Sequence, residues 1–189
     1  TGAANGANTS AVFAGTNPNN GKRYVYLETL GGGMGARFTK DGKDGVQVHL
    51  TNTSNLPVEA IEMEYPLRVE EYSFVENSGG AGKYRGGLGI RRIIRPIAHK
   101  CEFSGVGERF KHSPWGVFGG QPGKPGKFYL KHKNGKITNL SSKSSSIYTN
   151  ENDAIVMETP GAGGYGNPKK RTKNNILQDK ISGKFSNSF

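Results

Sequence analysis

Long apolar runs, cysteines, histidines and, over two long stretches, acids are all scarce in this chain. Each scarcity removes possibilities. No stretch approaches the roughly 18 consecutive apolar residues of a membrane-spanning helix, and nothing at the start resembles a signal peptide. The single cysteine, Cys101, has no partner for an internal disulfide, which points to a reducing, cytoplasmic setting. It lies in a strand-like apolar stretch and reads as a packed thiol rather than a nucleophile. His49, His99, His112 and His132 are widely spaced, and neither a Cys-x-x-Cys nor a His-x-x-x-His pair occurs, so the usual zinc spacings are absent. Hydrophobic residues make up only 33% of the chain, so it is rich in turns or completes its core against another body. A starting methionine is also missing. Thr1 reads as the interior of a longer polypeptide, although a free residue-1 threonine can be a nucleophile in some hydrolases.

Glycine and positive charge are present in excess. The 29 glycines among 189 residues are about twice the usual share, in a chain long enough for one domain. The net charge is +11 and uneven. Glu59, Glu62, Glu64, Glu70, Glu71 and Glu76 form an acidic block, whereas residues 77–101 and 109–150 contain no acid. A basic face attracts nucleic acid or phosphates. The basic runs lack the interleaved aromatics of a base-stacking platform, so a solvated face or an acidic partner subunit is the better reading.

Short segments of strand composition recur between glycines: KRYVYLETL, GVQVHLTNT, RVEEYSFVE, LGIRRIIRPI, KCEFSGVG, KFYLKHKNGKITNL and DAIVMETP. In GVQVHLTNT, strand alternation would set Val46, Val48 and Leu50 against Gln47, His49 and Thr51. Asn134-Gly135 predicts a type I′ hairpin turn. NLPVEAIEMEYPL is the one good helix, with Pro57 in its first turn and Asn55 or Ser54 as cap. The expected fold is mainly β (α+β): a glycine-rich β domain over residues 1–168 with one short helix. A basic, loosely ordered tail follows over 169–189, in which NNILQDKIS could add a short element.

Three groups of residues carry possible chemistry. Gly31, Gly32, Gly33, Gly35 and Gly42 suit an anion nest or a set of tight turns, but GGGMGA lacks the Lys-Ser/Thr ending of a P-loop. His49, with Asp41, Asp44, Glu59 and Glu62 near in sequence, can relay protons or bind a metal; it can equally be a hydrogen-bonded surface histidine. Glu59 and Glu62, three apart on a helix, would share a face. RFKHSPWGVFGGQPGKPG reads as an ordered loop packing Trp115 and Phe118, with Arg109 a candidate anion ligand.

Taken in order, YLETLGGGMGAR, DGKDGVQVHLTNTSNLPVEAIEMEYPLRVEEY, NSGGAGKYRGGLG, PWGVFGGQPGKPG and TPGAGGYGNP resemble the hydantoinase B/oxoprolinase family. The resemblance is to the C-terminal third of its B-type subunit. It implies an ATP-dependent hydrolase of cyclic amides such as 5-oxoproline or hydantoins, or, in related members, an ATP-dependent ketone carboxylase. A noncatalytic scaffold completing such an enzyme is the third possibility. The implied partners are a hydantoinase A-like ATPase, which holds ATP and Mg, the missing N-terminal part of the same subunit, and a small lactam. A further divalent metal would be bound by that N-terminal part, leaving this portion inactive alone and its own metal role unknown. By the same resemblance, His49, Asn52, Glu59 and Glu62 are the expected catalytic residues. Arg37, Arg109, Gly32 and Gly33 are the expected substrate or phosphate contacts. Gln47 stands where the family often has a second histidine.

Overall fold

The structure is a computed structural model, and it describes residues 1–49, 51 and 53–186. Two antiparallel sheets share one core. The first contains β1 (Thr9–Thr16), β2 (Arg23–Leu30), β5 (Cys101–Val106) and β8 (Lys143–Thr149), in the order β2-β1-β5-β8. The second contains β3 (Leu67–Phe74), β4 (Ile90–Pro96), β6 (Lys127–Lys131), β7 (Ile137–Leu140) and β9 (Ala154–Glu158), in the order β3-β4-β9-β6-β7. Period-two alternation turns Ala11 and Phe13 of β1, Tyr26 and Leu30 of β2 and Phe103 of β5 inward. There they meet Ile94, Phe128, Ile155 and Met157 of the second sheet in one cluster. The Phe103 and Phe128 rings meet edge to face, 5.8 Å between centroids, and join the sheets. Strand β9 is buried at every residue because it is central in its sheet.

The expected mainly β class is what the chain adopts, with several corrections. GVQVHLTNT is not a strand. Val46 makes one isolated bridge with Gly32, and His49 has φ +80, a left-handed conformation that breaks alternation. Leu50 and Asn52 lie outside the described residues. Two strands that composition did not suggest are present. TSAVFAGT forms the inner strand β1, and serine-rich KSSSIYT forms the edge strand β8. The hairpin β6–β7 is present, but its turn is not type I′. Gly135 N–H donates to His132 O and His132 N–H to Lys136 O, and Gly135 (φ +84) has positive φ while Asn134 does not. That is a type I turn closed by a left-handed glycine bulge.

Helix α1 (Val58–Glu64) starts on Pro57, which is itself the cap residue; no side chain caps it, neither Asn55 nor Ser54. The segment expected to be a loose tail carries regular structure. A 3-10 turn (Pro168–Lys170) leads into α2 (Lys173–Ile181), capped by the Thr172 hydroxyl accepting from Asn175 N–H. Asp179 of α2 and Arg171 are buried and form an ionic network with Arg85, Asp41 and Asp44. Among the described residues no helix is long and apolar enough to cross a membrane.

Candidate functional site

The glycine runs form a layer in which backbone packs directly on backbone. Gly32 N–H donates to Val46 O, Gly33 N–H to Pro160 O, Met34 N–H to Lys43 O and Ala36 N–H to Gly163 O. A Cβ on Gly33 would sit 2.3 Å from Gly87 O. The N–H groups of Gly32 and Gly33 are therefore consumed by protein carbonyls and cannot cradle a phosphate. We assign these two glycines to packing.

Beside this layer an arm over residues 43–49 borders two clefts. Its root is held by charge. Asp44 takes a two-pronged bond from Arg85 (2.7 and 3.1 Å), a bond from Leu88 N–H (2.9 Å) and Lys184 Nζ at 3.0 Å. Burial works against the Asp44 carboxylate, but Arg85, Leu88 N–H and Lys184 together hold it below the usual carboxylate range.

The first cleft, about 770 Å³, lies between the arm, the 51–57 segment, the start of α1 and Tyr72 of β3. Its wall is a hydrogen-bond chain: Asn8 Nδ2 donates to Thr51 Oγ1 (2.6 Å), Thr51 donates to Gln47, and Gln47 Nε2 donates to Thr29 O (3.2 Å). Lys43 and Glu59 are the charged groups lining it, and among the described residues neither is tied into an ion pair. Behind the wall lies a buried pair that sequence reasoning did not single out. Arg92, wholly buried on β4, donates through Nη1 to Glu28 Oε2 (2.5 Å), and the same oxygen accepts from Tyr26 (2.8 Å). Burial raises the Glu28 carboxyl despite the opposing Arg92 charge. Arg92 also covers the Tyr72 ring at 4.5 Å and reaches Leu56 O at 3.4 Å, so it braces two lining residues. Strand alternation was the available signal: Glu28 falls in step with Tyr26 and Leu30, and Arg92 with Ile90 and Ile94.

The second cleft, about 430 Å³, is lined by Val48, His49, Arg109, Trp115, Met34 and the N-terminal residues. Gln47 and His49 thus line different clefts, the opposite of strand alternation, because the arm is irregular. The expected site residues do not converge. His49 and Arg109 share the second cleft, and Glu59 lines the first. Glu62 instead accepts from Val69 N–H at 2.9 Å, tying α1 to β3. Arg37 lines neither cleft, its backbone N–H donates to Lys40 O, and its Nε is buried without a partner. Asn52 lies outside the described residues. Among the described residues no three or more His, Cys, Asp or Glu side chains gather as metal ligands. With the Gly32 and Gly33 N–H groups occupied as well, these residues do not fit the phosphates of ATP–Mg. Cys101 is buried, and burial pushes its thiol up, as suits packing.

Known proteins share this architecture. The chain is 34% identical over 179 residues to a putative B-type subunit of a D-/L-hydantoinase from a Pseudomonas species, covering 94% of this chain and 30% of that one. It is 40% identical over 141 residues to a 5-oxoprolinase of Dictyostelium discoideum, covering 75% of this chain and 11% of that one. The crystal structure of an ATP-dependent caprolactamase from Pseudomonas jessenii superposes with a TM-score of 0.84 at 24% identity, over 98% of this chain and 33% of that one. The chain therefore spans about a third or less of each. The hydantoinase B/oxoprolinase family matches residues 1–168, and the chain belongs to that family.

Proposed function

We propose that this chain is the C-terminal part of the B-type subunit of an ATP-dependent enzyme that opens a cyclic amide of the 5-oxoproline or hydantoin type. It would act in the cytoplasm beside an A-type ATPase and the rest of its own subunit. The observation that carries the reading is the family match across residues 1–168, supported by relatives named for hydantoin and 5-oxoproline chemistry. ATP held by the partner supplies the activation of the amide oxygen. This chain's residues supply polar surface and proton handling. Glu59, exposed and lining the first cleft with Lys43, suits a base for the attacking water, with Lys43 to protonate the departing ring nitrogen, while His49, which lines the second cleft, would orient the intermediate. Asn52 is assigned to the substrate amide. Glu62 is reassigned to structure because its carboxylate already serves Val69 N–H.

The test is phosphate release by the full-length subunit with its ATPase partner, given ATP and 5-oxoproline or hydantoin, with and without bicarbonate. Lactam-stimulated release that ignores bicarbonate is expected. Release only with a ketone and bicarbonate would replace this reading by the carboxylase. His49→Ala and Glu59→Ala are expected to lower turnover about a hundredfold or more, the usual scale of acid–base catalysis. Unchanged turnover in both would reduce the chain to a scaffold.

A further inference from the structure

The second cleft has a chemistry of its own. Among the described residues seven non-glycine residues adopt positive φ: His49, Asn77, Ala98, Arg109, Phe118, Ser146 and Asn152. Such backbone is uncommon, and where it recurs around one cleft it points to a requirement of that cleft. His49 (φ +80) and Arg109 (φ +58) are the two cationic or proton-carrying members, sixty residues apart in sequence, and both line the same cavity. The Arg109 guanidinium lies 4.6 Å over the Trp115 ring. A guanidinium placed over a ring in this way is attracted by the ring face and keeps N–H groups for a partner. No carboxylate takes them among the described residues. The adjacent Glu108 instead accepts from Ala7 N–H at 2.9 Å. Of the other half-buried arginines, Arg91 and Arg95 are neutralised by glutamates, and Arg37, like Arg109, has no ion pair among the described residues.

We propose that this cleft is an oxyanion-binding site, in which Arg109, seated over Trp115, and His49 receive a carboxylate or a phosphate group. A two-oxygen anion matches the guanidinium fork, and the imidazole N–H adds a third donor. The exposed part of Trp115, 55% of its surface, gives the organic portion of a carboxylate a face to lie on. The assignment deepens the amide-opening reading, in which Arg109 is an expected substrate or phosphate contact, and it is tested apart from it because binding requires no turnover.

The experiment titrates the full-length subunit with inorganic phosphate and, separately, with acetate and 5-oxoproline, read by isothermal titration calorimetry. Chloride at matched ionic strength is the control. Saturable binding of phosphate, of a carboxylate or of both is expected, and the stronger arm identifies the source of the anion. Arg109→Gln should weaken that binding about tenfold or more, as loss of a charge-assisted bond implies, while Arg109→Lys retains part of it. His49→Gln should weaken it by a smaller factor. Far-ultraviolet circular dichroism checks that each variant is folded. Non-saturating heats equal to chloride's would overturn the proposal, as would saturable binding undiminished in folded Arg109→Gln. Binding here in an assembly that shows no lactam-stimulated phosphate release would leave this site standing and remove the amide-opening reading alone.

Discussion

Arg92 and Glu28 show how much one buried pair can decide. Both stand on inward faces that are otherwise apolar, and desolvating two charges offsets most of what their attraction returns. Removing one partner strands the other. Arg92→Met is therefore expected to cost about 3–5 kcal/mol, read by urea denaturation. The double change Arg92→Met with Glu28→Leu should recover most of that loss, because the core then has no unpaired charge. Equal losses in the single and double variants would show that Arg92 acts through packing against Tyr72 rather than through charge. Either residue was legible in the sequence as an inward position, but the pairing was not. Register across β2 and register across β4 are independent facts, and only the stacking of the two sheets sets Glu28 against Arg92.

Among elements, the strands with β-branched and aromatic residues were readable, while β1 and β8 were not. Small and polar residues dominate both, and sheet neighbours rather than propensity hold them in place. The arm was misread for the opposite reason: GVQVHL alternates well, yet it is pinned at Asp44 and bridges only once, so no partner strand enforces the period. Glycines divide by element in a way that composition cannot distinguish. Gly135 turns the β6–β7 hairpin with open space where a Cβ would stand, so Gly135→Ala meets only the left-handed backbone penalty of about 1–2 kcal/mol. Gly33 lies in the packed layer, where a Cβ would collide with Gly87 O. Gly33→Ala is expected to cost about 3 kcal/mol or more, as overpacking does. Thermal melts of the two variants side by side check this, and a larger loss at Gly135 would contradict the packed-layer account.

At the scale of the whole molecule, charge closes the fold end to end. Asp41 beside the arm, Asp44 within it, Arg85 in the NSGGAGKYRGGLG stretch, and Arg171 with Asp179 of α2 form one network. The sign of the molecule's pH dependence follows from Asp44 within this network and from Asp153 outside it. Burial works against the Asp153 carboxylate, but Asn150, Lys133 and His132 hold it down. Carboxyls whose folded values are depressed contribute stability above their unfolded value of about 3.9, and that stability is lost as pH falls through the folded values. Glu28, raised by burial, acts in the opposite direction. Melting temperature should therefore fall steeply below about pH 4, and Asp44→Asn should flatten that fall while lowering stability at neutral pH. A melting temperature that held steady from neutral pH to about pH 3 would contradict this account.

What the sequence determined alone was the material: a turn-rich β chain, its glycine motifs in family order, and the short list of groups able to do chemistry. Local pattern suffices for that because alternation, turn residues and capping act over a few positions. Only the tertiary structure decided which of those groups meet. His49 and Arg109 come together because backbone from the arm and from the loop after β5 closes on one cleft. Glu62 and the glycine N–H groups are withdrawn because other parts of the chain already satisfy them. Those outcomes depend on how separate elements pack, as where Gly33 N–H meets Pro160 O, and a linear pattern carries no record of that packing.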